Sequence, residues 1–123
     1  MTEDVTLEFD YFVGKKNITL TVFIGDGQMG GSSVRLDGQL IGDPGEIKDL
    51  LIGKGRDLVG KKMLVKTLVS DDSDDTDWTS VTYTLAGGDP KTPITARHKV
   101  ETSGNGVIYR TTFVFKAASD ATP

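Results

Sequence analysis

From Thr6 to Val13 apolar and polar positions alternate, with Leu7, Phe9, Tyr11 and Val13 on one face and Thr6, Glu8 and Asp10 on the other. That period of two is the signature of a strand with one buried face. Phe12 interrupts it. Gly14-Lys15-Lys16-Asn17 supplies a turn, after which Ile18, Leu20, Val22 and Ile24 oppose Thr19 and Thr21. The two segments are expected to form an antiparallel hairpin. A second hairpin is written in Val34-Arg35-Leu36, Asp37-Gly38 and Gln39-Leu40-Ile41, because Asp-Gly suits the positive φ angles of a two-residue turn.

Asp43-Pro44-Gly45-Glu46 reads as a helix start, with Asp43 as N-cap, Pro44 at the first helical position and Glu46 three residues after the cap. Ile47, Leu50 and Leu51 follow at helical spacing and Gly53 closes the pattern, so the spacing predicts one short helix here. Arg56 to Lys61 reads as a polar loop. Lys62 to Val69 is a strand with Met63, Val65 and Val69 on one side and Leu64 and Leu68 on the other, which implies cover on both faces.

Beyond an acidic stretch, Trp78 to Leu85 sets Val81, Tyr83 and Leu85 against Ser80, Thr82 and Thr84. Ile94, Ala96, His98 and Val100 then alternate with Thr95, Arg97, Lys99 and Glu101, and Val107 to Lys116 forms a closing strand carrying Tyr109, Phe113 and Phe115. About eight short strands spaced by turn signals, with a single helix, predict an all-β fold: one antiparallel β-sandwich, immunoglobulin-like or C2-like in its Greek-key architecture. The domain is expected over residues 1–116, with 117–123 a flexible C-terminal tail.

Composition narrows the function classes. The chain has 123 residues, 37% apolar and 26% charged, with 15 glycines and no cysteine. The missing cysteines remove disulfides, thiolate metal sites and Cys nucleophiles together. Fourteen Lys and Arg against 18 Asp and Glu leave a net charge of −4, which lacks the basic footprint of nucleic-acid binding. No apolar run approaches the roughly 20 residues of a membrane-spanning helix, so no membrane insertion is expected. The start, Met1-Thr2-Glu3-Asp4, has neither the basic nor the apolar region of a signal peptide. The sequence as written therefore reads as cytoplasmic, although a secreted protein trimmed of its leader would look the same. Asn17-Ile18-Thr19 is a glycosylation triplet only in an exported chain, and here it reads as strand.

The densest chemistry is Asp71-Asp72-Ser73-Asp74-Asp75-Thr76-Asp77. Five of the 18 acidic groups lie in it, and neutralising them would turn −4 into +1. A loop of carboxylates and hydroxyls at a sandwich rim could hold Ca²⁺, with Asp71, Asp72, Asp74, Asp75 and Asp77 as the candidate ligands, although it lacks the Gly and bidentate Glu of an EF-hand. The plainer reading is a solvated acidic loop, and a third is a contact for a basic partner.

Other motifs weaken in context. Gly25-Asp26-Gly27-Gln28-Met29-Gly30 has the dinucleotide spacing, but a strand and a hairpin follow where a helix is required. Gly55 to Lys62 matches a phosphate loop until Lys62 replaces the Mg²⁺-binding hydroxyl. Its Lys54, Arg56, Lys61 and Lys62 form the basic cluster of the chain. His98 is the sole histidine and shares the parity of Ile94, Ala96 and Val100, which makes it a hydrogen-bonded core residue before a catalyst. Glu3, Glu8, Glu46 and Glu101 fall on polar faces or near the chain start. Catalysis is thus poorly supplied, and a small enzyme using His98 and an Asp is the least favoured reading.

Phe12 and Phe23 break parity in their strands, and with Met29 they are the candidate partner-binding residues. The two phenylalanines are expected on one outer face, unless the short helix covers it through Ile47, Leu50 and Leu51. The reading favoured by the residues is a non-catalytic binding or assembly module, acting by protein–protein interaction through loops, with no cofactor unless Ca²⁺ binds at 71–77.

Overall fold

The computed structural model describes residues 2–73, 75–90 and 92–118. Ten strands and one helical turn follow in order: β1 (Thr2–Val13), β2 (Asn17–Ile24), β3 (Met29–Leu36), β4 (Gln39–Gly45), β5 (Ile47–Lys54), α1 (Gly55–Leu58), β6 (Lys62–Ser70), β7 (Trp78–Ala86), β8 (Gly88–Asp89), β9 (Ile94–Lys99) and β10 (Gly106–Ala117). They form an all-β sandwich of a six-stranded sheet, β4-β3-β6-β10-β1-β8, and a four-stranded sheet, β5-β2-β7-β9.

The alternating residues define the space between the sheets. Tyr11 and Val13 of β1, Ile18 and Leu20 of β2, Met63, Val65 and Val69 of β6, Val81 and Tyr83 of β7, and Tyr109, Phe113 and Phe115 of β10 are all buried. Phe113 stacks on Phe9 at 5.8 Å and meets Tyr83 edge-on at 5.6 Å, which joins the sheets through aromatic contact. Polar groups carried inward are paired across the same gap. Tyr83 and Thr111 share a 2.6 Å hydrogen bond. Thr79 donates to the His98 carbonyl at 2.8 Å and accepts from the Tyr109 hydroxyl at 2.6 Å. Burial pushes the Tyr83 phenol up to about 12, so it stays protonated and serves as a structural donor or acceptor.

Four expectations are corrected. β1 and β2 are not a hairpin, since β1 lies in the six-stranded sheet and β2 in the other. The sandwich is also not wholly antiparallel: β1 runs parallel to β10 across twelve register pairs, from Thr2↔Gly106 to Val13↔Ala117. The predicted helix at 43–53 is instead the end of β4, a corner and β5, and the only helical turn among the described residues lies in the expected polar loop, with Leu58 buried. Gly42, Gly45 and Asp49 have φ of 65°, 131° and 49°, which no α-helix accommodates. Irregularities in the β2–β5 ladder break its period of two, so that Ile47 and Ile52 both turn inward while Leu51 is 56% exposed. Apolar residues at bulged spacing thereby imitate a helical stripe.

The fourth correction concerns the outer faces. Among the described residues no helix covers β6, whose Leu68 is exposed, and Phe12 and Phe23 belong to different sheets rather than one surface. The Asp37-Gly38 hairpin forms as expected, with Leu36 opposite Gln39. The closing strand runs one residue past the expected domain end, and Ala118 N–H donates to the Val13 carbonyl at 3.0 Å. The remainder of the expected tail, 119–123, lies outside the described residues. Among the described residues no helix is long and apolar enough to cross a membrane.

Candidate functional site at the acidic end of the sandwich

Strand directions bring the start of β1, the β2–β3 turn at Gly25–Gln28, the 71–77 loop and the β9–β10 connection to one end. The Gly-rich turn is closed by Gln28 N–H to the Gly25 carbonyl at 3.1 Å, and it delivers Gln28 beneath the acidic loop. Gln28 is buried, and both ends of its amide are engaged. Its Nε2 donates to Asp71 Oδ1 at 2.8 Å, to the Trp78 carbonyl at 3.0 Å and to the Thr76 carbonyl at 3.3 Å. Its Oε1 accepts the backbone N–H groups of Asp72 and Ser73, each at 2.9 Å. One neutral amide thus takes up donors and acceptors on the inner side of the loop, and the side chains of Asp72 and Asp75 are left toward solvent.

The candidate ligands therefore occupy different situations. Asp71 is buried, and its second oxygen accepts Gly104 N–H at 2.9 Å. Asp77 accepts from the Ser103 hydroxyl at 2.9 Å, which ties this loop to the β9–β10 connection. Asp72 and Asp75 are exposed. Asp74 lies outside the described residues. Among the described residues no three Asp, Glu or His side chains are gathered closely enough to hold a metal ion.

Glu3 and His98 sit at the same end. Glu3, singled out in the sequence only by its place near the chain start, shares the inward parity of Val5, Leu7 and Phe9. Its carboxylate accepts from His98 Nε2 at 2.8 Å, from Asn105 Nδ2 at 2.8 Å and from Glu101 N–H at 3.0 Å. These donors, His98 first, pull the Glu3 pKa down to about 2 from an ordinary 4.5. His98 is accordingly a part-exposed residue whose Nε2 hydrogen-bonds a Glu.

Around this frame lie exposed apolar groups. Met29, at the start of β3, is 70% exposed, and Phe23 is 63% exposed on β2 beside Gly25. Trp78 is partly exposed beneath the Arg97 guanidinium, 4.5 Å from the ring centroid, and Arg97 pairs with Asp26 at 3.4 Å. A shallow groove beside them is lined by Asp75, Thr76, Asp77, Trp78, Lys99 and Ser103.

The opposite end has the reverse charge. Gly55 N–H donates to the Lys16 carbonyl and Gly60 N–H to the Phe115 carbonyl, so the turns carrying Lys15, Lys16, Lys54, Arg56 and Lys61 converge around α1 near Lys116. Phe12 lies at this end, in a groove with Lys15, Lys16, Gly88 and Asp89, far from Met29.

Neither Gln28 nor Glu3 stands out among the sequence-derived candidates. Glu3 could have been found by extending the Leu7–Val13 parity back to the chain start. No periodicity marks Gln28, whose importance arises only when two loops 43 residues apart meet. Comparison of the chain with protein-family models, with curated proteins and with solved structures gave no match.

Proposed function

We propose that the protein is a non-catalytic binding or assembly module that docks a basic protein partner on its acidic end. The observation that carries this reading is the Gln28-pinned loop, which leaves Asp72 and Asp75 exposed beside Met29. A surface already held by internal hydrogen bonds loses little freedom when a partner arrives. Exposed carboxylates raise the association rate of a basic partner, and an apolar anchor supplies contact once water is expelled. Phe23 and Trp78 flank the same end, whereas Phe12 would serve a separate contact.

The test is quantitative affinity capture from the source organism's extract, with wild type beside a D72N/D75N/M29S variant and a K61Q/K116Q control at the basic end. Partners held by wild type and by the control, but lost with the acidic-end variant, are the expected result. An identical partner set for all three proteins would remove this end from consideration.

A further inference from the structure

Among the described residues β1 is paired along its whole length on one side only. Its β10 flank is matched along all twelve residues, while its other flank meets β8 at Phe12 and Val13 alone. Among the described residues no strand pairs with this flank from Thr2 to Tyr11, which forms an open sheet edge. β9 pairs with β7 and is likewise the last strand of its sheet.

The backbone of this edge is aimed outward. The Val13 carbonyl accepts Ala118 N–H on the β10 flank, whereas the Phe12 carbonyl faces Gly88, so closely that a Cβ on Gly88 would stand 2.4 Å from it. Strand alternation then turns the N–H and C=O groups of Asp10, Glu8, Thr6 and Asp4 to the open side. Such a row of free donors and acceptors is a template for another strand.

β1 and β9 border the same side of the sandwich, linked by Glu3–His98. Their directions are opposed: β7 meets β10 in ascending order, Thr79 with Tyr109 and Tyr83 with Thr111, so β7 runs along β10 and β1, while β9 is antiparallel to β7. We propose that two copies of this chain associate about a two-fold axis parallel to the strands, with β1 of each adding antiparallel to β9 of the other. The contact is then isologous, and each six-stranded sheet continues into the partner's four-stranded sheet.

Charge selects this pairing over the simpler one. The outward side chains of β1 include Asp4, Glu8 and Asp10, and those of β9 include Arg97 and Lys99. Joining β1 to β1 would set acid against acid, whereas joining β1 to β9 sets acid against base. Asp4 stands level with Arg97, because Glu3 meets His98. The internal partners of these two, Arg110 and Asp26, leave them reachable, with Asp4 58% and Arg97 51% exposed.

The test is light scattering after size exclusion over a range of concentrations, with circular dichroism as a check on folding. Wild type is expected to approach twice 13.2 kDa as concentration rises. Thr6→Pro removes an N–H from the open edge only, and is expected to stay monomeric with an unchanged spectrum. Lys99→Glu, an exposed change independent of the proline, is expected to weaken the dimer at least about tenfold. A wild type that remains monomeric near 1 mM, roughly the weak limit of specific association, overturns the proposal. So does a dimer that neither variant weakens.

Discussion

Gln28 and Asp71 share a 2.8 Å hydrogen bond in a buried setting, although 43 residues separate them in the chain. The bond converts a run of carboxylates that repel one another into a loop with a fixed inner side. Removing the Gln28 side chain strands Asp71 Oδ1 and the N–H groups of Asp72 and Ser73 together. Gln28→Ala is therefore expected to cost about 2 to 4 kcal/mol. Asp72→Ala and Asp75→Ala, at exposed positions, should each stay within about 0.5 kcal/mol. Urea denaturation of the three variants checks the contrast. Equal midpoints would mean that the loop is held by something other than Gln28.

Glu3 gives the acid limb of the stability profile a definite origin. Its folded pKa of about 2 lies below the ordinary 4.5, so the ionised form favours the folded state. That stabilisation is complete above pH 4.5 and is lost as the pH falls to about 2. Glu3→Gln is expected to be less stable at neutral pH and to lose less stability across that interval. Urea midpoints measured at several pH values distinguish this from two parallel profiles, which would remove Glu3 from the account.

The Tyr83–Thr111 pair joins the sheets with a hydrogen bond inside the core. Tyr83→Phe should cost about 1 to 2 kcal/mol, because it leaves the Thr111 hydroxyl unpartnered. Tyr83→Phe with Thr111→Val should cost less than the two single changes added together, since no orphan remains. A strictly additive cycle would show that the two hydroxyls do not depend on each other.

Phe113 is fully buried between Phe9 and Tyr83. Phe113→Ala is expected to cost about 3 to 5 kcal/mol, from lost transfer free energy and the cavity left behind. A cost below about 1 kcal/mol would mean that the sheets collapse onto the space.

Calcium is expected to leave thermal unfolding unchanged. Both Asp71 oxygens already accept protein donors, and Asp77 is engaged by Ser103. A cation bound only by the folded chain would raise the midpoint by mass action. A rise of several degrees in millimolar Ca²⁺ over chelator would reinstate the calcium reading.

The strands were legible because each carries its own period of two, as in Leu7–Val13, Ile18–Ile24 and Val107–Phe115. Their partners were not, because pairing is a relation between distant segments: nothing in Thr6–Val13 distinguishes an adjacent β2 from the remote β10. The false helix has a local cause, since the β5 irregularities place Ile47, Leu50 and Leu51 at a spacing that periodicity alone cannot separate from a helix. The acidic loop was visible as composition. Its organisation was not, because Gln28 acts through an amide that reads as ordinary loop polarity.

The parallel ladder between β1 and β10 fixes how the molecule bears a load. Because the strands run the same way, Thr2 and Ala117 lie at opposite ends of the ladder. Tension applied between those two residues slides β1 along β10 and strains the twelve register pairs together, in shear. An antiparallel hairpin pulled from its two open ends instead parts one bond at a time. Resistance to stretching, a rate of forced unfolding and not an equilibrium quantity, is thus concentrated in the one ladder that joins the first strand to the last.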